Sequence, residues 1–530
     1  MRTNMNQVDS FYSPGLQSRE EAVISAHFMH ADNMNTDFNL YTQEEFKNKK
    51  IEITQDDFLN IIVPAVQNSV QSVIEKRTPQ IAQNTRRNHD DYGIDDANKV
   101  TAVEIITEAL LDYWFRKGPL ENSNKLFIRD KVATHLANDE KIQLVVPLLP
   151  NKVDTPLKTR GAIPCMAEIG LLSRLAEVTG VINKVLSEYM PESNSQAEFL
   201  ILADGHRFQD ALNVGEDKVQ AYQESIKWWI QELGYSDSIK FADYEQVVSL
   251  HLGAEGNVKR QELMADAYAL YEDIMSPILD SQDMLKSLQN AVDNDPFPDE
   301  ANVEGRFVPL FKSILYTYED DELPEYCKKI NFSHQDLYRE ITSHVYEPFS
   351  ESPELKTNMQ YTPETILGNG PDNLDDVKET FRRSIIENSW EATIKYLAAV
   401  KGDRDLFEDP VSQIFPDHIR YTIHAKKGQI GLCTTGSKKG DLVQAWHGVS
   451  LLRPTKKRMT KFDNASCLSV EGQGALPVTI AFNDATENTP LSKLSMADQP
   501  IFYVDKKLDV TTAEQVCDVV EKSLTRFVFR

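Results

Sequence analysis

The sequence predicts an α/β protein: a mostly parallel sheet flanked by helices, with an N-terminal extension before it and a largely helical insertion within it. Three observations predict this. Between residues 101 and 203 the apolar pattern runs helix, strand, helix, strand, the order that builds a parallel sheet. Residues 256–410 read as largely helical, and after Pro410 strand patterns return. The organisation that follows is an extension at 1–100, the first part of a core at 101–255, a helical region at 256–410, and strands completing the core at 411–530. A chain of 530 residues has room for about three units of roughly 150 residues each.

Each element has its own warrant. Residues 1–20 are polar and predict a frayed end. Residues 56–75 carry helical apolar spacing interrupted by Pro64, and the charge- and turn-rich stretch 86–98 reads as a linker. The segment 103–115 (VEIITEALLDYWF) predicts an amphipathic helix, and 142–149 (IQLVVPLL) a buried strand. Pro164 then opens a helix reaching about Tyr189, with Leu172, Leu175, Ile182, Val185, Leu186 and Tyr189 on one face. A second buried strand, 199–203 (FLILA), ends directly in Asp204-Gly205. The helical region is broken by acidic, proline-containing stretches at 292–300 and 318–325. Its clearest helix is 384–400, where Trp390 and Tyr396 serve either as core or as the lining of a pocket. Strands are predicted at 419–424, 429–434 and 442–452, with a hairpin turn at 436–440.

Composition bounds the function. With 41% hydrophobic and 26% charged residues, the chain is not a disordered one. A net charge of -26, from 56 basic and 82 acidic residues, argues against broad nucleic-acid or anionic-membrane binding. It leaves room for a small anion in a local basic pocket. Five scattered cysteines without a CxxC pair predict reduced thiols in the cytoplasm. The first residues lack an apolar signal region, and the apolar run 142–150 is far shorter than the ~20 residues that span a bilayer. No P-loop, GxGxxG after a strand, GxSxG or HExxH is present. His27 and His30 form the nearest approach to a metal pair, but no further ligand stands close to them in sequence, so no metal is expected.

Four segments place polar residues where strands end. The loop 151–161 holds Lys152, Lys158 and Arg160 before a helix, either an anion site or a solvated basic loop. Glu168 lies one turn into that helix, as a catalytic carboxylate or as a favourable charge near a helix N-terminus. Asp204, His206, Arg207 and Asp210 follow the strand 199–203, where open α/β sheets place ligand contacts; a turn-capping role for Asp204 is the alternative. In 419–424, alternation puts Arg420, Thr422 and His424 on one face, an anion cradle with a proton carrier or a solvent-facing edge. Trp446-His447 adds another histidine nearby.

Taken in order, these segments resemble the pyoverdine/dityrosine biosynthesis family, the isonitrile synthases. The resemblance rests on Lys158-Thr-Arg-Gly-Ala-Ile-Pro164 with Glu168, on Asp204-Gly205 with Phe208 and Asp210, on Tyr222, on Ile419-Arg420 with Ile423-His424, and on Trp446-His447. It covers about residues 140–250 and 380–455. The chain departs from the family pattern in three places: Cys165 stands where Asp is usual, Thr422 where Ser is usual, and Ala445 where Pro is usual. The segment around Lys152 is rearranged as well.

The resemblance implies a Rossmann-like enzyme with no redox cofactor and no metal. Its reaction turns the amino group of a tyrosine- or tryptophan-like amino acid into an isonitrile, with the added carbon drawn from C2 of ribulose 5-phosphate as co-substrate. The yeast branch feeds formyl-tyrosine chemistry for dityrosine walls. Condensing an amine with a ketone needs proton removal from the ammonium and protonation of the departing hydroxyl, and His424 and His447 titrate in the right range. The implied catalytic set is His424, Asp204, Glu168 and His447. Lys152, Lys158, Arg160, Arg207, Asp210 and Arg420 would bind substrate and phosphate. Partners are then the two small molecules, without nucleic acid or membrane. The other reading is a diverged family member acting as a binding or interaction protein, and Cys165 and Ala445 favour it.

Overall fold

The computed structural model describes residues 43–281, 287 and 374–527, apart from 86–93, 95, 113, 117–121, 153–158, 210–213, 408, 423–427, 433–443, 466, 483–488 and 497–498. Strand β1 (Ile51–Thr54) alternates buried and exposed residues and leads through a wide helical turn, Phe58–Ile62, into α1 (Val63–Asn84). Ile62 and Val63 before Pro64 are themselves helical, so Pro64 lies inside a continuous helical stretch, where the wide turn passes into α1, in keeping with helical spacing interrupted at that residue. Helices α2 (Ala97–Leu110) and α3 (Asn122–Ala137) precede β2 (Ile142–Pro147). Then come α4 (Met166–Tyr189), β3 (Ala197–Ala203), α5 (Glu216–Glu232), β4 (Ile239–Asp243) and α6 (Tyr244–Leu279). Helix α7 (Leu374–Leu406) packs along α6.

The first sheet is completed by β5 (Ile419–Thr422) and β6 (Ile430–Gly431). Its order is β4-β3-β2-β5-β6, and every pair is parallel. Leu144, Val145 and Val146 of β2 are all buried, as expected of a central parallel strand covered on both faces. Because β5 lies between β2 and β6, the solvent-edge reading of its Arg420 face does not hold.

The second sheet comprises β1, β7 (Val449–Pro454), β8 (Thr460–Ala465), β9 (Leu476–Ala481), β10 (Phe502–Val504) and β11 (Leu524–Phe527). Its order, β1-β9-β10-β7-β8-β11, mixes parallel and antiparallel pairs. A last helix, α8 (Ala513–Ser523), opens with a Thr512–Gln515 capping box. Helix α4 contacts β3 of one sheet and β7 and β8 of the other, which explains why it is apolar and buried nearly all round.

Three expectations differ from this structure. Residues 51–84, expected in an N-terminal extension before the core, supply β1 to the second sheet and place Ile53, Phe58 and Ile62 in the core. The strands after 440 do not complete the first sheet but build the second. The expected strand at 442–452 is instead a tight helical turn, Ala445–His447, followed by β7. Its apolar residues look like one strand, yet Ala445 and Trp446 are buried in a turn packed on α4, and the strand begins only at Val449. The expected turn at 436–440 lies outside the described residues.

Candidate active site

From β2 the first sheet grows to one side through β3 and β4 and to the other through β5 and β6. The direction of winding therefore switches between β2 and β5, and open α/β sheets bind ligands at the carboxyl ends of the strands beside such a switch. Lys152 follows β2 at that edge, Asp204 follows β3, and Asp243 ends β4.

Lys152 is turned inward. Its Nζ lies 3.1 Å from each Glu168 carboxylate oxygen and 3.1 Å from Cys165 Sγ, and both charged side chains are fully buried. Glu168 Oε2 also accepts the Cys165 backbone N–H at 2.8 Å, and Tyr222 donates its hydroxyl to Oε1 at 3.3 Å. Cys165 is the N-cap of α4, so Cys165 and Glu168 form a capping box with a thiol in the place of the usual hydroxyl. Burial works against the Lys152 ammonium, and the Cys165 and Glu168 side chains beside it outweigh that, holding its pKa above the ordinary value. Burial pushes the Cys165 thiol up, so it stays protonated.

The backbone leading to this cap is clasped by the second sheet. Gln499 donates to the Ile163 carbonyl at 2.5 Å and accepts the Ile163 N–H at 3.0 Å. The Met166 N–H donates to the Ile501 carbonyl at 2.9 Å. Gly161 has φ +89°, and a Cβ there would stand 1.8 Å from Gln499 Oε1, so any other residue would strain the backbone and push the Gln499 side chain aside. Arg160 makes a forked pair with Glu471 and lies over the Phe46 ring at 4.9 Å; Tyr503 donates to the same Glu471 at 2.6 Å.

The other predicted cations are paired as well. Arg207 is salt-bridged to the buried Asp403, which also accepts from Arg260 at 2.6 Å, and its guanidinium lies over the Phe208 and Tyr244 rings at 4.7 and 4.8 Å. Tyr396 stacks on Phe208 with centroids 4.1 Å apart, and both Tyr396 and Trp390 are buried. Arg420 donates from Nη1 to both oxygens of Asp409 at 3.0 Å, and its side chain keeps partial exposure. Burial raises the Asp409 pKa, but the Arg420 charge and the Ser412 hydrogen bonds more than reverse this and hold it below the usual carboxylate range.

Asp204 is buried at the start of the one-turn helix Gly205–Phe208 without capping it through its side chain. The structure thus brings Lys152 and Glu168 into contact and places Asp204 on the same sheet edge, whereas Arg160, Arg207 and Arg420 each face a different carboxylate. Lys158, Asp210 and His424 lie outside the described residues, as do His27 and His30. The backbone of His447 closes the turn after Gln444.

Sequence reading did not find the contact between His206 Nδ1 and Asp243 Oδ2, at 2.7 Å, nor the Gln223 amide that donates to the same oxygen at 2.9 Å. The signal was an aspartate ending a short strand pattern, IKFAD, just before a helix. Among the described residues no group of three or more His, Cys, Asp or Glu is arranged to hold a metal ion. Among them, too, no helix is long and apolar enough to cross a membrane.

Residues 132–297 match the model of the family described as pyoverdine/dityrosine biosynthesis protein. The L-tyrosine isonitrile synthase of Xenorhabdus nematophila is 26% identical over 208 residues, 39% of this chain and 53% of that protein. The L-tryptophan isonitrile synthase AmbI1 of Fischerella ambigua is 25% identical over 237 residues, 44% of this chain and 63% of that one. An L-tyrosine isonitrile synthase of Pseudomonas aeruginosa is 26% identical over 156 residues, 29% of this chain and 45% of its own length. The chain therefore spans about half the length of the curated relatives it matches. The crystal structure of the PvcA protein from Pseudomonas aeruginosa aligns with a TM-score of 0.43 and 18% identity, over 76% of this chain and 99% of that one. Through the stretch 132–297, which carries β2, α4 and β3 together with the Lys152–Glu168 pair, the chain is similar to the pyoverdine/dityrosine biosynthesis family.

Proposed function

We propose that this protein is an isonitrile synthase of the cytoplasm, converting the amino group of a tyrosine- or tryptophan-like amino acid to an isonitrile with ribulose 5-phosphate as the carbon donor and no redox cofactor or metal. The observation that carries the reading is the buried Lys152–Glu168 pair at the head of α4, inside the family-matched stretch and beside the switch point of the parallel sheet. A fixed ammonium there is suited to the negative charge that develops on a ketone oxygen as an amine adds to it. Glu168 keeps that ammonium charged despite its burial. The Arg420 guanidinium supplies several N–H donors to a phosphate, and binding would exchange Asp409 for the ligand. In this reading His424 and His447 carry protons and Asp204 holds the substrate ammonium.

The test is mass spectrometry of purified protein incubated with ribulose 5-phosphate and a pool of amino acids. The expected product is one amino acid gaining a carbon and losing two hydrogens, absent with Arg420→Ala. Dialysis against a chelator is expected to leave turnover unchanged; loss restored by a divalent metal would refute the metal-free reading. A second reading, a diverged binding protein, is favoured by the carboxylate pairing of Lys152, Arg160, Arg207 and Arg420. Sugar phosphate binding without any product would select it.

A further inference from the structure

The two strands β3 and β4 end side by side, with Ala203 in register with Asp243. Asp243 uses both its oxygens. Oδ1 accepts the Gln246 N–H at 3.0 Å and caps α6, while Oδ2 faces His206 Nδ1 at 2.7 Å and the Gln223 amide at 2.9 Å. The carboxylate is thereby fixed in orientation by a helix cap and an amide, and it is buried. His206 Nδ1 lies 2.7 Å from Asp243 Oδ2 and 3.2 Å from the Gln223 amide nitrogen; with the hydrogen on Nδ1, bonded to the carboxylate, Nε2 keeps a lone pair when the ring is neutral. The histidine side chain is 16% exposed against 2% for Asp243, so the histidine keeps access to solvent that the carboxylate lacks.

The pair is tied to the Lys152 region by two elements. Gly205 sits so close to the loop after β2 that a Cβ on it would lie 2.0 Å from the Pro150 carbonyl oxygen, two residues before Lys152. Adjacent residues of α5 serve the two clusters: Tyr222 donates to Glu168, and Gln223 to Asp243. The charged neighbours along the chain are Asp204 and Arg207, the latter neutralised by Asp403.

We propose that His206 is a catalytic general base and acid of the synthase reaction, with Asp243 as its positioning residue; this rests on the reading given under Proposed function. His206 Nε2 takes a proton from the substrate ammonium, leaving the amine and an imidazolium. The amine nitrogen bonds to the ketone carbon to give a carbinolamine. The imidazolium then returns its proton to the carbinolamine hydroxyl, which leaves as water with formation of the protonated imine. One ammonium and one ketone become one iminium and one water, and the histidine ends as it began.

The test combines His206→Asn, in which the amide can keep the hydrogen bond to Asp243, with nitrogen NMR of the histidine ring and product formation from ribulose 5-phosphate and the accepted amino acid. The proposal expects the neutral ring in the Nδ1–H tautomer and its loss in Asp243→Asn. It also expects kcat to fall by about 100-fold or more in His206→Asn, with KM and the thermal midpoint near those of the wild type. Turnover at the wild-type rate in His206→Asn, or a neutral ring in the Nε2–H tautomer, overturns this assignment alone. No product from the wild-type protein overturns the synthase reading and this assignment with it.

Discussion

Lys152 and Glu168 form an ion pair wholly inside the protein. Removing one partner of a buried ion pair strands the other and costs about 3–5 kcal/mol. Lys152→Met is therefore expected to lower the urea unfolding free energy by that amount. Adding Glu168→Gln should recover most of the loss, because the amide can still accept the Cys165 N–H. A single variant as stable as the wild type would show that the pair is not buried in this way. His418, at the entry to β5, is a second residue whose charge is set by its surroundings. Burial lowers its pKa from 6.5 to about 4, partly countered by its bond to the Phe415 carbonyl. Between those values the unfolded chain binds a proton that the folded one refuses, so this contribution is complete above pH 6.5 and is lost as pH falls toward 4. It amounts to about 3 kcal/mol at most. His418→Gln should flatten the slope of stability against pH in that window, and an unchanged slope would contradict the assignment.

At the scale of elements, the clasp of Gln499 on Ile163 makes the start of α4 depend on the second sheet. Gln499→Ala leaves a backbone N–H and carbonyl without partners, at a cost of about 1–3 kcal/mol. Faster amide exchange is expected at Ile163 and in the first turn of α4 while β2 and β3 keep their protection; uniform loss across the molecule would count against a local clasp. This scale also shows what the sequence disclosed. Strands β2 and β3 were legible because fully buried parallel strands are continuous apolar runs, and α4 because Pro164 and one apolar face mark it. The cap itself was not, since cysteine is not a usual capping residue. The 442–452 reading held from Val449 onward, in β7, and failed at Ala445–His447 because apolar residues say buried, and a buried turn satisfies that as well as a strand. The candidate site divided along the same line. Glu168 and Asp204 were visible from local context, whereas the carboxylates facing Arg160 and Arg207 come from distant parts of the chain that no spacing connects, and Asp409 meets Arg420 across the turn between a short helix and β5. His206 and Asp243 meet only because β3 and β4 pair in one register, which nothing local encodes.

At the scale of the whole molecule, the two sheets are not separable pieces. The second takes its first strand from before the first sheet begins, and α4 is buried between them. Thermal unfolding of the region they share is therefore expected as one transition, with near- and far-ultraviolet circular dichroism changing together. Two well-separated steps, one for each sheet, would argue that α4 does not couple them. The net charge of -26 acts at this scale too: attraction for a small anion has to come from local positive groups, and Lys152, Arg160, Arg207 and Arg420 are each paired with a carboxylate.

The pairing of β1 with β9 sets the timing of folding during synthesis. Strand β1 leaves the ribosome early, but its partner is made only when most of the chain has followed. Meanwhile one flank of β1, with the apolar Ile51 and Ile53, has no neighbour to bond. Such an edge invites pairing with a second nascent chain. The protein's yield in a cell is then governed less by its final stability than by how well that early strand is shielded while it waits.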